Sequence, residues 1–270
     1  MNKKNVDSGR ASKRPGQFQR SLLDSGIMLV TERLPHFQSL AVGVWVGAGS
    51  RNETIAEEGM SHFLEHMMFK GTVNRTALEI AQAVDRVGGE FNAFTAREHT
   101  CFHVLLLSQD CGLAIEIMAD LLRNSLFDVD EIERERKVVL QEVAMVEDNP
   151  EERVHDLFFE YAFGKHSLGR SFLGTPKTIS SFDRSSVVSF FRKHYSAKNM
   201  VISVAGNVSH EKVKQLCNKH LGKGWRKSEA AGKTVGVSKP VLKKGACALN
   251  RELEQTHMVV GFPGPTYTAQ

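Results

Sequence analysis

Ser61-His62-Phe63-Leu64-Glu65-His66 reads His-x-x-Glu-His. On a helix, residues three and four apart share a face, so His62, Glu65 and His66 stand together one turn apart. Two neutral imidazoles aimed at one point supply half of a tetrahedral zinc shell. A carboxylate on the same face, with no need to ligate, can take a proton from a water that the ion activates. The spacing therefore predicts two ligands (His62, His66) and a general base (Glu65) on one short helix.

Composition alone produces such a string in roughly one chain in a hundred of this length, so a third ligand is needed to decide the matter. The sequence around 128–148 predicts a long helix over Val129–Val146, opened by Asp128 as N-cap with Glu131 three residues on. It carries Glu131, Glu133, Glu135, Glu142 and Glu147. Glu135 and Glu142 fall on one face two turns apart. Glu142 lies in the apolar run Val138-Val139-Leu140-Gln141-Glu142-Val143-Ala144, which predicts partial burial. A buried carboxylate needs a partner, and a metal ion is an adequate one. The other three acids read as a solvated helix face.

The rest of the composition sets the class. At 41% hydrophobic and 24% charged residues the chain has the make-up of a soluble globular protein. Its net charge of +4 partly reflects Lys3, Lys4, Arg10, Lys13, Arg14 and Arg20. Residues 1–20 read as a disordered basic tail, without the apolar core of a secretory signal and with little of the amphipathicity of a mitochondrial presequence. No run approaches the roughly 18 apolar residues of a membrane span. No basic patch with interleaved aromatics points to nucleic acid. Cys101, Cys111, Cys217 and Cys247 are scattered and read as reduced thiols in a bacterial cytoplasm, ahead of a mitochondrial matrix. His99, Cys101 and His103 alternate on one predicted strand, but a single strand converges poorly on a metal, so packing is the expected role.

Elements alternate irregularly along the chain. Strands are expected at 26–32, 39–47, 91–95, 99–107 and 200–205. Helices are expected at 76–87, 111–122, 151–163, 185–194 and 209–220, besides those at 62–66 and 129–146. This is an α+β pattern with a mixed or largely antiparallel sheet packed by helices. Residues 21–221 form the first domain, 222–240 a Gly-, Lys- and Ser-rich linker, and 241–270 the start of an incomplete second domain with strands at 246–250 and 256–261.

These motifs together resemble the pitrilysin/insulinase family of zinc metallopeptidases, its processing-peptidase branch and bacterial relatives above all. Gly59-Met60-Ser61-His62-Phe63-Leu64-Glu65-His66-Met67-Met68-Phe69-Lys70-Gly71-Thr72 follows the family pattern almost residue for residue. So do Arg134-Glu135-Arg136-Lys137-Val138-Val139-Leu140-Gln141-Glu142, His166-Ser167-Leu168-Gly169-Arg170 and Leu173-Gly174-Thr175-Pro176. The resemblance implies the family's half-clamshell fold, one zinc ion on His62, His66 and Glu142, Glu65 as base, and Glu135 as an acid supporting the site. It also implies that Asn92-Ala93-Phe94-Thr95 form the edge strand to which an extended peptide adds.

The function this implies is that of a zinc endopeptidase acting on peptides or presequence-like segments, paired as a homodimer or with a family-like partner chain. The alternative is a peptide-binding or scaffold subunit that needs a partner for catalysis. The carbonyl-binding residues of the family's second domain have no counterpart in this chain.

Overall fold

A computed structural model describes residues 18–222, 224–225 and 239–265. One six-stranded sheet organises it, in the order β1-β2-β6-β3-β5-β4. The strands are β1 (Phe18–Leu22), β2 (Met28–Arg33), β3 (Ser39–Val46), β4 (Glu90–Thr95), β5 (Thr100–Leu107) and β6 (Met200–Gly206). All neighbours run antiparallel except β2 and β6, so the sheet is mixed, as the sequence predicts.

Strand alternation sets the layers. On β3, Leu40, Val42, Val44 and Val46 are buried, while Ala41 and Trp45 face outward. Met200, Ile202 and Val204 repeat the pattern on β6. Period-two burial of this kind places one face under a helical layer. The other face leaves Trp45, Phe94, Leu105 and Leu107 substantially exposed.

The helices are α1 (Met60–Met68), α2 (Ala77–Asp85), α3 (Cys111–Asn124), α4 (Val129–Asp148), α5 (Pro150–Phe163), α6 (Pro176–Ser181), α7 (Arg184–His194) and α8 (His210–Leu221). The helix that carries the His-x-x-Glu-His motif, α1, is sandwiched between β4, α4 and α7. Its Met60, Phe63, Leu64, Met67 and Met68 are buried in the common core. Burying a large apolar side chain contributes about 1.5–3 kcal/mol, so α1 is held as part of that core. Asp128 caps α4 by accepting from the N–H groups of Asp130 and Glu131. Asn149 caps α5, with Pro150 in its first turn.

Three expectations change. The tail assigned to 1–20 falls mainly outside the described residues, but Phe18-Gln19-Arg20 are strand β1, in register with Val30-Thr31-Glu32. Charge suggested a solvated tail, yet β2 offers Phe18–Leu22 an edge to pair with. The Ser21 hydroxyl also meets Nε2 of the buried His210 at 2.9 Å. Second, 246–250 and 256–261 form no strand. That segment runs irregularly beside α5, where the Lys243 N–H donates to the Ala162 carbonyl at 2.9 Å. A strand needs a neighbouring edge, and the described residues present none there. Third, α6 lies where no helix was expected. The linker expectation (222–240) rests largely on residues outside the described set. Among the described residues no helix is long and apolar enough to cross a membrane.

Candidate active site

The start of α1 is fixed before the motif begins. Gly59 precedes the helix at φ +88°, and a Cβ there would lie 2.5 Å from the Leu173 carbonyl oxygen. Gly174 crosses it closely enough that its own Cβ would meet the Glu58 carbonyl oxygen at 2.3 Å. Two glycines let these segments pass in contact, which gives the Leu173-Gly174 motif a physical purpose. Glu53 is buried and accepts from the first free N–H groups of α1, those of Gly59 (2.9 Å) and Ser61 (2.7 Å). Burial pushes its carboxyl up to about 7, against the pull of those N–H groups and of Arg170. Arg170 in turn donates to the Glu53 carbonyl at 2.8 Å.

With five apolar side chains of α1 turned inward, His62, Glu65 and His66 occupy its remaining face, each partly buried. On α4, Ile132, Glu135 and Val139 are buried and Glu142 continues the same face. The two helices pack together, and the facing side chains converge. Oε2 of Glu142 lies 3.7 Å from His62 Nε2 and 3.5 Å from His66 Nε2. Those separations are long for hydrogen bonds, and this buried oxygen has no hydrogen-bond partner. They match three ligand atoms sharing one small cation, since zinc–ligand bonds of about 2.0–2.2 Å put tetrahedral neighbours about 3.3 Å apart. His62, His66 and Glu142 are the one group of three or more such residues among the described residues able to hold a metal ion. Two imidazoles and a carboxylate are a donor set that suits zinc.

Protonation prepares His62 directly for this use, whereas the raised His66 must give up a proton to ligate. Burial, with the neighbouring His66, drives His62 down to about 3, so it is neutral with a free lone pair. Burial also pushes His66 down, but the Glu135 hydrogen bond and the carboxylates of Glu142, Glu135 and Glu65 outweigh it and raise the ring. Burial raises Glu65, with Glu142 adding to the rise and Thr95 and His66 opposing it. The Thr95 hydroxyl donates to Glu65 Oε2 at 2.5 Å.

Glu142 is partly buried, as its apolar surroundings predict, but Glu135 goes deeper. It, not Glu142, is the deeply buried acid, with a side chain 6% exposed against 37% for Glu142. Its charge is met without a metal. Oε2 accepts from His66 Nδ1 at 3.0 Å and Oε1 pairs with Lys70 Nζ. Burial raises the Glu135 carboxyl, but those two bonds prevail and hold it below the usual range. Lys70 received no role in the sequence reading, although it lies within the Gly59–Thr72 pattern, four residues beyond His66.

Asn92, Ala93, Phe94 and Thr95 lie on β4, the last strand of the sheet, with β5 on one side and no strand on the other among the described residues. Thr95 turns its hydroxyl to Glu65, a contact that strand reasoning missed. Beyond it opens a cavity of about 550 Å³, walled in part by Arg97, Val146, Asp156, Phe159 and Phe172. Phe172 also meets the His62 ring edge-on at 6.0 Å. Arg97 and Glu98 do not pair with each other: Arg97 meets Asp156 at 3.3 Å, and Glu98 meets Arg51. His99 packs on Trp45 and Phe94, the packing role expected of it. All four cysteines are free, and burial pushes Cys101, Cys111 and Cys217 up to about 12, 11 and 12.

Over residues 28–176 the sequence matches the family described as Insulinase (Peptidase family M16). The chain belongs to the M16 peptidase family. Residues 181–270 match the Peptidase M16 inactive domain. Part of that stretch is structurally inseparable from the first, because β6 lies between β2 and β3 in the sheet. The chain is 42% identical over 265 residues to an uncharacterized zinc protease of Mycobacterium leprae, covering 95% of this chain and 59% of that protein. It is 41% identical over 247 residues to an uncharacterized zinc protease of Bacillus subtilis, covering 92% and 59%. A protease from Helicobacter pylori superposes with a TM-score of 0.77 at 27% identity, over 84% of this chain and 54% of that one. Pitrilysin shares the fold, with a TM-score of 0.76 at 24% identity over 88% of this chain and 26% of its own. The chain thus spans about 59% of the length of the curated M16 relatives it matches.

Proposed function

We propose that this M16 chain carries the catalytic half-site of a zinc metalloendopeptidase, with His62, His66 and Glu142 as ligands and Glu65 as general base. A zinc ion bound by these three side chains would supply a Lewis acid for the scissile carbonyl and would lower the pKa of a water on it. Glu65 is placed to accept the proton of an attacking water and return it to the leaving amine, and Thr95 keeps the carboxylate aimed. Glu135 orients His66 through Nδ1. The outer edge of β4 receives an extended peptide as an added strand, main chain to main chain, beside Glu65. A donor to the charge developing on the carbonyl oxygen contributes about 10²–10³ in rate, and a family-like partner chain is its proposed source. The carrying observation is the orphan Glu142 oxygen poised between two imidazole Nε2 atoms, with Glu65 on the same helix face.

The test is cleavage of a quenched fluorescent peptide by the zinc-loaded chain, alone and with a family-like partner chain. Glu65→Gln should retain zinc and lose roughly 10²–10⁴ in kcat, the usual contribution of a general base. A variant that keeps wild-type turnover would refute the role of Glu65.

A further inference from the structure

The two imidazoles are supported unequally. His62 Nδ1 is buried and has no hydrogen-bond partner among the described residues, so the ring is held by packing against Phe172 and His66. His66 Nδ1 has Glu135, and Glu135 has Lys70.

That last contact differs from an ordinary surface ion pair, which contributes little. The Glu135 side chain is 6% exposed, and each oxygen has a different partner. Lys70 stands just past the end of α1, its N–H still bonded to the Met67 carbonyl at 3.2 Å. The chain then turns at Gly71 (φ +106°), and Thr72 is bolted to α3 through its hydroxyl on Asp120 at 2.7 Å. Buried Asp120 also receives Asn74, Arg75 and Asn124. The Lys70 backbone is therefore fixed on both sides, and its ammonium is delivered to Glu135 by the scaffold.

A carboxylate's terminal torsion is broad, so one hydrogen bond to His66 does not by itself set its rotation. A second contact on the other oxygen does. We propose that Lys70 is a positioning residue of this site, clamping Oε1 of Glu135 so that Oε2 stays on His66 Nδ1 and His66 Nε2 stays aimed at the point shared with His62 and Glu142. The inference builds on the metallopeptidase reading above. With His62 lacking a comparable bond, the hydrogen-bonded orientation of the two imidazoles runs through this lysine.

The test uses the full chain with Lys70→Met, Lys70→Arg and Glu135→Gln. Zinc affinity is measured by competition with a chromophoric chelator, and the His66 tautomer by long-range ¹⁵N–¹H NMR on metal-free protein. Lys70→Met should weaken zinc binding by roughly 10- to 100-fold, as loss of outer support does at metal sites, and Lys70→Arg should restore most of it. The same Lys70→Met change should reduce the Nδ1–H tautomer of His66 while leaving the His62 signals in place. Wild-type affinity and tautomer in Lys70→Met, beside a loss in Glu135→Gln, would overturn the proposal. So would a loss in Lys70→Met, matched by Lys70→Arg, that tracks a lowered melting temperature with the tautomer unmoved. A wild-type chain that binds no zinc sinks the metallopeptidase reading instead, and the tautomer still decides whether Lys70 sets His66.

Discussion

At the scale of single residues, Thr95 sits where strand and helix chemistry meet. Its hydroxyl faces Glu65 from the end of β4, so the strand expected to hold a peptide also orients the base. A hydrogen bond to a charged group contributes about 1.5–3 kcal/mol, so Thr95→Val should lower kcat/KM by roughly 10- to 100-fold with zinc content unchanged. Steady-state kinetics beside metal analysis checks this; unchanged kinetics would detach Thr95 from Glu65. The His-x-x-Glu-His residues were legible because helical spacing alone puts them on one face. Lys70 was not, because nothing local says that a lysine beyond a helix end will meet an acid 65 residues further along the chain. The two acids of α4 could be paired by spacing but not ranked by burial. Which of them turns inward depends on how α4 rolls against α1, a tertiary fact.

At the scale of elements, α1 depends on the acid at its start. Glu53 satisfies two N–H groups of α1 while buried, and burial lifts its carboxyl from 4.5 to about 7. A raised acid pKa means that the folded protein holds this proton more tightly than the unfolded chain. The proton's contribution is present in full below pH 4.5 and is lost as pH rises toward 7. We expect metal-free wild type to lose stability across that window relative to Glu53→Gln, which cannot titrate there. Urea unfolding at several pH values reads the difference, and parallel pH profiles for the two proteins would contradict it. Most elements could be read from pattern: the Asp128 cap, the Asn149-Pro150 start of α5 and the alternation of β3 and β6 are local signals. Strand β1 was obscured because its pairing, not its composition, makes it a strand. Thr175-Pro176, an N-cap followed by a first-turn proline, was the available and unused sign of α6.

At the scale of the whole molecule, every residue of the candidate site lies on the sheet-and-helix unit of residues 18–225. The described part of 239–265 touches that unit along α5 and at Glu147, and among the described residues its hydrogen bonds and ion pairs include none to His62, His66 or Glu142. A protein ending at residue 225, which keeps Trp225 packed on the core, should therefore bind zinc within about twofold of the full chain, since distant sites act independently. Chelator competition on the two proteins measures it, and a large loss would mean that the later segment supports the site. The zinc proposed on His62, His66 and Glu142 can be tested without turnover. Crystals of the zinc-loaded chain, measured on both sides of the zinc absorption edge, test it directly. We expect a single anomalous peak about 2.0–2.2 Å from both Nε2 atoms and from a Glu142 oxygen, with Glu135 on His66 Nδ1. A peak ligated by Glu135 in place of Glu142, or none beside α1, would contradict the account.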